Sequence, residues 1–531
     1  MNERLIENWL TKVNEKSFQV PFCQLLIGEG FKVVHLSQHG PFEDGKDILA
    51  IAPDGTPCAF QLKSSTGKLS QKEFSKFYDQ LVRLVESPID HPSIDQEKER
   101  RVYLVLNGEL SEEVRTQITK LNNDWRRRKH PELQTILLGE LLPRFIRLHT
   151  NFWPSDLFQE KEFLELYFDN GAGYLNKPKF ASFIEGIFII RKKLSKNECV
   201  RILANAAIFT SYSLNPFIIS NNHVAIIEGW IIYLSYAISF IEKNKLEERY
   251  WKNSLEIAEV TIEQSLKFLH KELCALNHFV AGNALVDSPF YRGRLTWLSS
   301  FISVLLFFEI KNNPEYIMDK WSEQFLLSNQ KYLYLWGEAA IPQFLSIHWV
   351  LRIFGFSYMS DRLLFALFKG LIENSTVNNG VPDPYHSLGE IILSVSGLSD
   401  SLKNESFIGR SYSLDALTQL LTRRGFRGIL EEYWRKLSHV YFIEFEPDFS
   451  WQYCLWHCDE GILYETSPNT PQSWELLVEH SKSFQLKKIP VFFQNNPFLL
   501  LLFLIVYPHR MNPDAIKLID SYINEFIVNN D

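Results

Sequence analysis

Apolar and polar positions along the chain follow two different patterns. In residues 1–150, short β-prone runs alternate with segments of helical periodicity. The pattern predicts an N-terminal helix, a strand at Lys32–Leu36, a hairpin, a helix from about Gln71 to Glu86, and strands near Val102–Leu106 and Thr135–Leu138. This order of elements favours an α/β domain with a mixed sheet flanked by helices.

From about Lys179 onward, apolar residues recur at helical spacing and strand-like alternation is scarce, which predicts a large all-α region. The clearest helical blocks are Glu228–Glu242, Leu255–Leu273, Leu295–Glu309, Ile341–Phe354 and Asp361–Ile372. We therefore predict an α/β domain over residues 1–150, a connecting segment over 151–178, a helical domain over 179–396 and a helical C-terminal module over 397–531.

The predicted hairpin turns at Pro53-Asp54-Gly55, because proline, aspartate and glycine suit the successive positions of a three-residue loop. That loop fixes the register of the two strands. Ala50 then lies opposite Cys58, and Asp47 lies opposite Gln61. Since opposed residues share a face and side chains alternate along a strand, Asp47, Gln61 and Lys63 are predicted to meet at the open end of the hairpin.

The segment thus has an acid, a short hairpin and then the sequence Gln-x-Lys. This order resembles the active-site motif of the PD-(D/E)XK nuclease superfamily, and within it that of the Mrr-like restriction endonuclease branch. Two flanking segments extend the resemblance over roughly the first 150 residues, namely the helix and strand around 18–33 and the strand and turn over 101–111. The loop with Gly40 and Asp44 also matches. The resemblance implies a restriction-endonuclease-like fold and a metal-dependent nuclease.

Phosphodiester hydrolysis requires an activated water and neutralised phosphate charge, and Mg²⁺ or Mn²⁺ held by oxygen ligands supplies both. The resemblance assigns the catalytic roles to Asp47, Gln61 and Lys63. Asp47, the side-chain oxygen of Gln61 and the backbone carbonyl of Leu62 would hold the metal, and Lys63 would orient or deprotonate the water.

The first helix of this family usually carries a glutamate that helps to hold metal, and the matching position here is Gln19. Either this amide weakens the metal site, or Glu15 or Glu29 replaces the missing acid. The sequence leaves these alternatives open.

The net charge of −8 belongs to the region after residue 150, because residues 1–150 contain 21 Lys and Arg and 21 Asp and Glu. Two basic clusters in the neutral N-terminal domain are candidate nucleic-acid contacts. Their members are Lys98, Arg100 and Arg101 in the first cluster and Arg126, Arg127, Arg128 and Lys129 in the second. The acidic helical region favours a regulatory protein or ligand over DNA as its partner.

A polar N-terminus and six scattered cysteines predict a cytoplasmic protein. No segment is expected to span a membrane, and Phe498–Tyr507 is expected to be a buried helix. Candidate site residues in the helical region, each expected to have an ordinary structural role, are His278, Glu338, Asp383, His386, Asp459 and Glu460.

The sequence thus favours a Mg²⁺-dependent deoxyribonuclease with a helical sensor, regulatory or assembly domain. The resemblance implies a role in bacterial antiviral or restriction-type defence, and a homodimer that would cut both strands. One alternative is a non-catalytic nucleic-acid or protein-binding module on a nuclease-like fold. A second is an RNA-directed nuclease.

Overall fold

The computed structural model describes residues 2–37, 45–95, 97–149, 157–189, 194–276, 288–377, 380–399, 402, 409–459, 461–467, 473–483 and 486–530. The chain forms two compact units. The first comprises Met1–Ala237 and Asn244–Gln264, and the second comprises Ile238–Lys243 and Ser265–Asp531. The domain boundaries expected from the sequence stay predictions.

The first unit has a mixed α/β architecture. Its strands are β1 (Lys32–Leu36), β2 (Ile48–Ile51), β3 (Pro57–Lys63), β4 (Lys68–Leu69), β5 (Arg101–Leu106), β6 (Glu109–Leu110) and β7 (Leu133–Ile136). Its helices are α1 (Asn2–Lys12), α2 (Glu15–Gly28), α3 (Gln71–Lys76), α4 (Tyr78–Glu86), α5 (Glu112–Arg127), α6 (Leu138–His149), α7 (Leu157–Tyr167), α8 (Lys177–Phe188) and α9 (Lys196–Ile219). Two further helices, α10 (His223–Lys243) and α11 (Lys252–Leu276), have residues in both units.

Five strands form one sheet in the order β1-β2-β3-β5-β7. The pairs β1–β2 and β2–β3 are antiparallel, whereas β3–β5 and β5–β7 are parallel. The mixed sheet expected from the sequence is therefore confirmed. Strands β4 and β6 form a separate short parallel pair.

The hairpin of β2 and β3 has the predicted register, with Ala50 opposite Cys58 and Ile48 opposite Phe60. Its turn is closed by a hydrogen bond of 2.9 Å from the backbone N–H of Gly55 to the carbonyl of Ala52. Gly55 has φ of +81°, a left-handed conformation that glycine adopts without strain. The turn chemistry thus sets the register as expected.

Each face of the sheet has its own core. On one face, Leu49 and Ala59 pack with the buried side chains of α3, α4 and α5, among them Phe74 and Leu81. On the other face, the ring of Phe60 lies edge-on to Phe22 of α2 at 5.5 Å. The sheet therefore holds α2 and the α3–α5 layer on opposite sides.

The edge strand β1 is covered by a side chain that imitates a neighbouring strand. The amide of Asn253 in α11 accepts from the N–H of Val33 at 2.8 Å and donates to the carbonyl of Val33 at 2.5 Å. Both backbone groups of this edge residue are therefore satisfied, which reduces the tendency of the edge to pair with another chain.

Three predicted elements of the first unit differ in the structure. The N-terminal helix is two helices, because Asn14 caps a new helix by accepting from the N–H of Ser17 at 2.8 Å. The helix predicted over 71–86 is broken at Phe77, which has φ of −122°. The segment predicted as a connection contains the helix α7 and the first residues of α8.

The second unit is mainly helical. After α11, its helices are α12 (Pro289–Asn312), α13 (Lys320–Asn329), α14 (Ile341–Ile353), α15 (Ser357–Val377), α16 (Leu388–Val395), α17 (Leu414–Arg423), α18 (Arg427–Leu437), α19 (Trp474–Lys482), α20 (Val491–Gln494), α21 (Pro497–Val506) and α22 (Pro513–Asn530). Every residue of α21 is buried, as expected for this apolar run.

The all-α expectation is wrong in one respect, because the second unit also contains a small sheet. Strands β8 (Arg410–Ser411), β9 (Tyr441–Glu446) and β10 (Ile462–Thr466) pair in the order β10-β9-β8. All five residues of β10 are exposed, so this strand lacks the alternation of buried and polar positions by which a strand is predicted.

Three helices, α9, α10 and α12, are long and apolar enough to cross a membrane, although the sequence analysis expected none. Within the protein, 83%, 94% and 78% of their most apolar windows are buried. Glu228 in α10 is buried too, with the Lys177 ammonium 3.5 Å from its carboxylate. These helices thus have the burial of core helices.

A buried carboxyl group, Glu338, lies just before α14. Its Oε2 accepts hydrogen bonds from the N–H of Tyr412 at 2.8 Å and from the hydroxyl of Ser413 at 3.1 Å. Burial raises the pKa of Glu338 to about 7, and nearby Asp383 adds to the effect. Asp383 in turn lies 2.9 Å from the imidazole of His386, so the structure brings together three candidate residues of the helical region. His278 and Glu460 lie outside the described residues.

We predict that Glu338 makes the second unit less stable as the pH rises. Because the pKa is raised by folding, the stabilisation is complete below the ordinary value of 4.5 and is lost as the pH passes about 7. The loss amounts to about 3 kcal/mol, since one pKa unit corresponds to about 1.4 kcal/mol. Urea unfolding at several pH values should therefore show a pH dependence that Glu338→Gln reduces by about this amount, while the part due to Glu444, whose pKa is also raised to about 7, remains. The control Glu479→Gln, at an exposed position, should retain the full pH dependence. Equal pH profiles for wild type and Glu338→Gln would contradict the raised pKa of Glu338.

Candidate active site

The open end of the β2–β3 hairpin brings Asp47 and Gln61 into direct contact. The side-chain amide of Gln61 donates to Asp47 Oδ2 at 2.7 Å, and the backbone N–H of Leu62 donates to the same oxygen at 2.6 Å. Asp47 is only 7% exposed. Two donors on one carboxylate oxygen fix its position at the end of the hairpin.

The backbone of Asp47 is held from both sides. Its N–H donates to the carbonyl of Phe60 in β3 at 2.9 Å, and its carbonyl accepts from Ser37, just after β1, at 2.7 Å. The aspartate therefore extends the pairing of β2 with both neighbouring strands. Its side-chain position follows from the sheet and does not depend on a loose loop.

Gln61 has an unsatisfied buried acceptor. The side chain is 2% exposed, and its Oε1 has no hydrogen-bond partner among the described residues. Buried polar atoms in folded proteins usually have a partner, and an orphan acceptor requires a donor, a water molecule or a cation. Its neighbour, the Asp47 carboxylate, makes a cation a suitable partner.

Lys63 is bound by an acid from helix α2. Its ammonium group lies 2.9 and 3.0 Å from the two carboxylate oxygens of Glu15. It also lies 5.7 Å from the centre of the Phe77 ring, a favourable distance for a cation–π contact. Lys63 is thus held at the same end of β3 as Gln61, two residues along the strand.

Glu15 and Glu29, the two acids that could replace the missing glutamate, lie at opposite ends of α2. Their role as metal ligands stays a prediction. Glu15 occupies the first turn of α2, where Asn14 caps the helix and the helix dipole favours an acidic side chain. Glu29 binds the guanidinium of Arg144 instead, at 2.8 Å, and is about 20 Å further along the helix axis. Of the two acids, Glu15 is the one that binds Lys63 at the open end of the hairpin.

Gln19 lies one helical turn after Glu15 and therefore on the same face of α2. It is 4% exposed, and its side-chain Nε2 has no hydrogen-bond partner among the described residues. Gln19 and Gln61 thus each have a buried side-chain amide atom without a hydrogen-bond partner among the described residues. The predicted resemblance places Gln19 where the family has a glutamate, and the structure shows that this position is buried.

Asn107 is a positioning residue that the sequence analysis missed. Its side chain accepts from the N–H of Ser65 at 2.8 Å and donates to the carbonyls of Leu10 and Val13 at 2.8 and 2.9 Å. It thereby ties the segment after Lys63 to the end of α1 and to the connection that precedes α2. The signal was the Asn107-Gly108 pair that directly follows β5, a sequence typical of a turn.

The oxygen atoms at this site are compatible with a hard cation such as Mg²⁺. They comprise the Asp47 carboxylate, Gln61 Oε1 and the Leu62 carbonyl. A further carboxylate, that of Glu15, is bound to Lys63. Within the described part of the chain, no three His, Cys, Asp or Glu side chains gather in a metal-binding group. Among the described residues, amide and backbone oxygens would therefore complete the coordination of a metal at this site. Gly40 and Asp44 lie outside the described residues.

The first basic cluster lies at the other end of the sheet. Arg101 is paired with Cys58 at the start of β3, whereas Lys63 is paired with Leu106. Five residues of extended strand separate the two ends by about 17 Å. A phosphate bound at Lys63 would therefore not contact Arg101.

Most arginines of the two clusters have partners. Arg101 binds Asp54 at 2.7 Å, and Arg100 donates to the carbonyl of Val85 at 2.6 Å. In the second cluster, the partners are Glu132 for Arg126 at 2.6 Å, Asp124 for Arg127 at 3.7 Å and Glu86 for Arg128 at 2.8 Å. Lys98 and Lys129 have no ion pair among the described residues. Their contact with nucleic acid stays a prediction.

The basic run Arg423-Arg424-Gly425 in the second unit has a structural partner. Arg424 forms an ion pair with Asp520, whose side chain is fully buried, and Arg423 lies 3.8 Å from the same carboxylate. Trp349 also donates to Asp520, at 3.0 Å. These contacts join α14, α17 and α22 and account for the two arginines.

Comparisons of this chain with protein-family models, with curated proteins and with solved structures find no match. The resemblance of the N-terminal region to Mrr-like nucleases therefore stays a prediction that rests on the hairpin and its flanking segments.

Proposed function

We propose that the protein is a metal-dependent endonuclease that hydrolyses DNA, with its active site at the open end of the β2–β3 hairpin. One observation carries the proposal. An acid, an amide with an orphan buried oxygen, and a lysine held by a second acid converge on one end of one strand. The predicted family resemblance supports the same reaction and the choice of DNA.

Mg²⁺ or Mn²⁺, when bound, would supply an activated water and neutralise charge on the phosphate. Asp47, Gln61 and the Leu62 carbonyl are the groups that would hold it. Lys63 contributes a positive charge at the position of the phosphate or of the attacking water. Glu15 acts through Lys63, because it fixes the ammonium group and balances its charge in the free protein.

The wider role is also proposed by resemblance. We infer a cytoplasmic enzyme of bacterial antiviral or restriction-type defence, with the second unit as a sensor, regulator or assembly module. Its acidic composition favours a protein or small ligand over DNA as the partner of that unit. A homodimer would place two such sites on the two strands of a duplex.

A non-catalytic binding protein is the second candidate function. It is favoured by Gln19, which places an amide where the family has an acid, and by the small number of carboxylates at the hairpin. In that case, Asp47 and Gln61 would have a purely structural role, and the protein would bind nucleic acid or a partner without cleaving it.

We predict that Asp47→Asn abolishes cleavage of plasmid DNA, with a loss of at least about 100-fold, because the metal loses its carboxylate ligand. Asparagine preserves an acceptor for Leu62, whereas Asp47→Ala would leave two buried donors unpaired at a cost of about 1–3 kcal/mol each. Nicking and linearisation with Mg²⁺ or Mn²⁺ measure the effect. Asp54→Asn, on the exposed turn of the same hairpin, is the control.

An Asp47→Asn protein that cuts plasmid normally would contradict the assignment. Matched single-stranded and duplex RNA substrates in the same assay test the RNA-directed alternative. If wild-type protein binds nucleic acid but cuts none of these substrates in either metal, the non-catalytic function is supported.

We predict that Glu15→Gln reduces cleavage by about tenfold or more, because it releases the ammonium of Lys63 from its fixed position. Lys63→Ala should abolish cleavage. The matched control is Glu29→Gln, which removes another ion pair of α2 with a similar exposure. Both glutamine variants should change the free energy of unfolding by about 1 kcal/mol or less, since partly exposed ion pairs contribute little. Equal activities of the two would show that Glu15 has no role in catalysis.

We predict that Gln61→Glu makes folding depend on a divalent cation. The new carboxylate would replace an amide that donates to Asp47 at 2.7 Å, so two like charges would face each other in a buried place. The melting temperature in EDTA should therefore fall, and added Mg²⁺ should raise it by several degrees more than in wild type. A variant whose response to Mg²⁺ equals that of wild type would argue against a metal at this position.

A further inference from the structure

A cavity of about 670 Å³ lies in the first unit, at the end of the sheet remote from Lys63. Its wall includes Pro57, the first residue of β3, and residues 98–100, which precede β5. The volume is in the range of 300–1,000 Å³ that is typical of small-molecule sites. The cavity is thus separate from the hairpin site by the length of β3, about 20 Å.

The two basic clusters of the sequence meet in this cavity. Lys98 and Arg100 line it from one segment, and Arg126, Lys129 and His130 line it from the end of α5. Four acidic side chains line the cavity as well, and two of them, Asp95 and Glu99, form no ion pair with the described residues. The other two are neutralised. Glu132 is bound by Arg126, and Glu86 is bound by Arg128 and by the indole N–H of Trp125.

Three cationic side chains of the wall have unused binding capacity. Lys98 and Lys129 form no ion pair with the described residues. The guanidinium of Arg100, which also lines the cavity, uses one nitrogen on the carbonyl of Val85 and forms no ion pair with the described residues. Burial lowers the pKa of Arg100, which shows that its charge is poorly solvated. An anion in the cavity would satisfy all three.

The backbone of Lys129 has an uncommon conformation. It has φ of +61° at the end of α5, in the left-handed region where glycine or asparagine usually terminates a helix. Its side chain lines the cavity. A substitution of Lys129 must therefore tolerate a left-handed backbone.

Another part of the wall is apolar and suits the organic part of a ligand. Ile89, Ile94 and the prolines Pro57, Pro88 and Pro131 form it. A duplex backbone, by contrast, is bound by exposed cations along an open surface, and the arginines at 126–128 are each paired with an acid. The volume of the cavity and the few unpaired cations favour a small ligand.

We propose that this cavity binds a small organic phosphate of mononucleotide size. Lys98, Arg100 and Lys129 bind the phosphate, and the isoleucine and proline wall contacts the base or sugar. The site does not depend on the proposed nuclease reaction, because none of its residues contacts the hairpin site.

Calorimetric titration of the full chain tests the proposal. The four ribonucleoside 5′-monophosphates are titrated one by one, beside adenosine, inorganic phosphate and a short single-stranded DNA. At least one monophosphate should bind with one site per chain. Its Kd should rise about tenfold or more in Lys98→Gln and in Lys129→Asn, since a hydrogen bond to a charged group contributes about 1.5–3 kcal/mol. Asparagine tolerates the left-handed backbone, so Lys129→Asn preserves the fold.

Arg127→Gln is the matched control, because this arginine belongs to the same cluster but is 82% exposed and does not line the cavity. It should leave the Kd unchanged, and Asp47→Asn should also do so, whatever happens to cleavage. Three results would each overturn the proposal: no binding of any monophosphate, equal Kd values in the lysine variants, or lysine variants that weaken only the DNA.

Discussion

The carboxylate of Asp47 is the contact on which the candidate site depends. It accepts hydrogen bonds from the side chain of Gln61 and from the backbone N–H of Leu62, so it fixes the end of β3. Both donors are buried, and each would cost about 1–3 kcal/mol if left without an acceptor. The same oxygen atom therefore contributes to stability and to the proposed chemistry. The surrounding sheet also holds the backbone of Asp47 on two sides, which keeps the carboxylate in place for both roles.

The local geometry of the hairpin could be predicted from sequence because it depends on adjacent residues. Pro53, Asp54 and Gly55 determine the loop, the loop determines the register, and the register places Asp47 opposite Gln61. The contact of Glu15, rather than of Glu29, with Lys63 could not be predicted in the same way. It depends on where α2 begins and how that helix is rotated on the sheet, and both are set by Asn14 and by packing against Phe60.

The same distinction applies to charge and to the second unit. Sequence shows that residues 126–129 are basic, but the acids that neutralise the arginines include Glu86 and Glu132, from other parts of the fold. Only the structure separates paired cations from Lys98 and Lys129. In the second unit, long apolar helices give a strong periodic signal, whereas the exposed strand β10 gives none. Strands that are held only by backbone pairing with a neighbouring strand are therefore missed when elements are predicted from periodicity.

The positions of the hairpin site and the cavity limit how they can influence each other. Both lie along β3, one at each end, and β3 is hydrogen-bonded to β2 and to β5. Coupling between two sites requires an element with two discrete arrangements that both ligands bias. A central strand paired on both sides is a poor candidate, because a change of register would turn its side chains to the other face. We therefore expect the two sites to bind their ligands independently, with β3 acting as a rigid spacer between them.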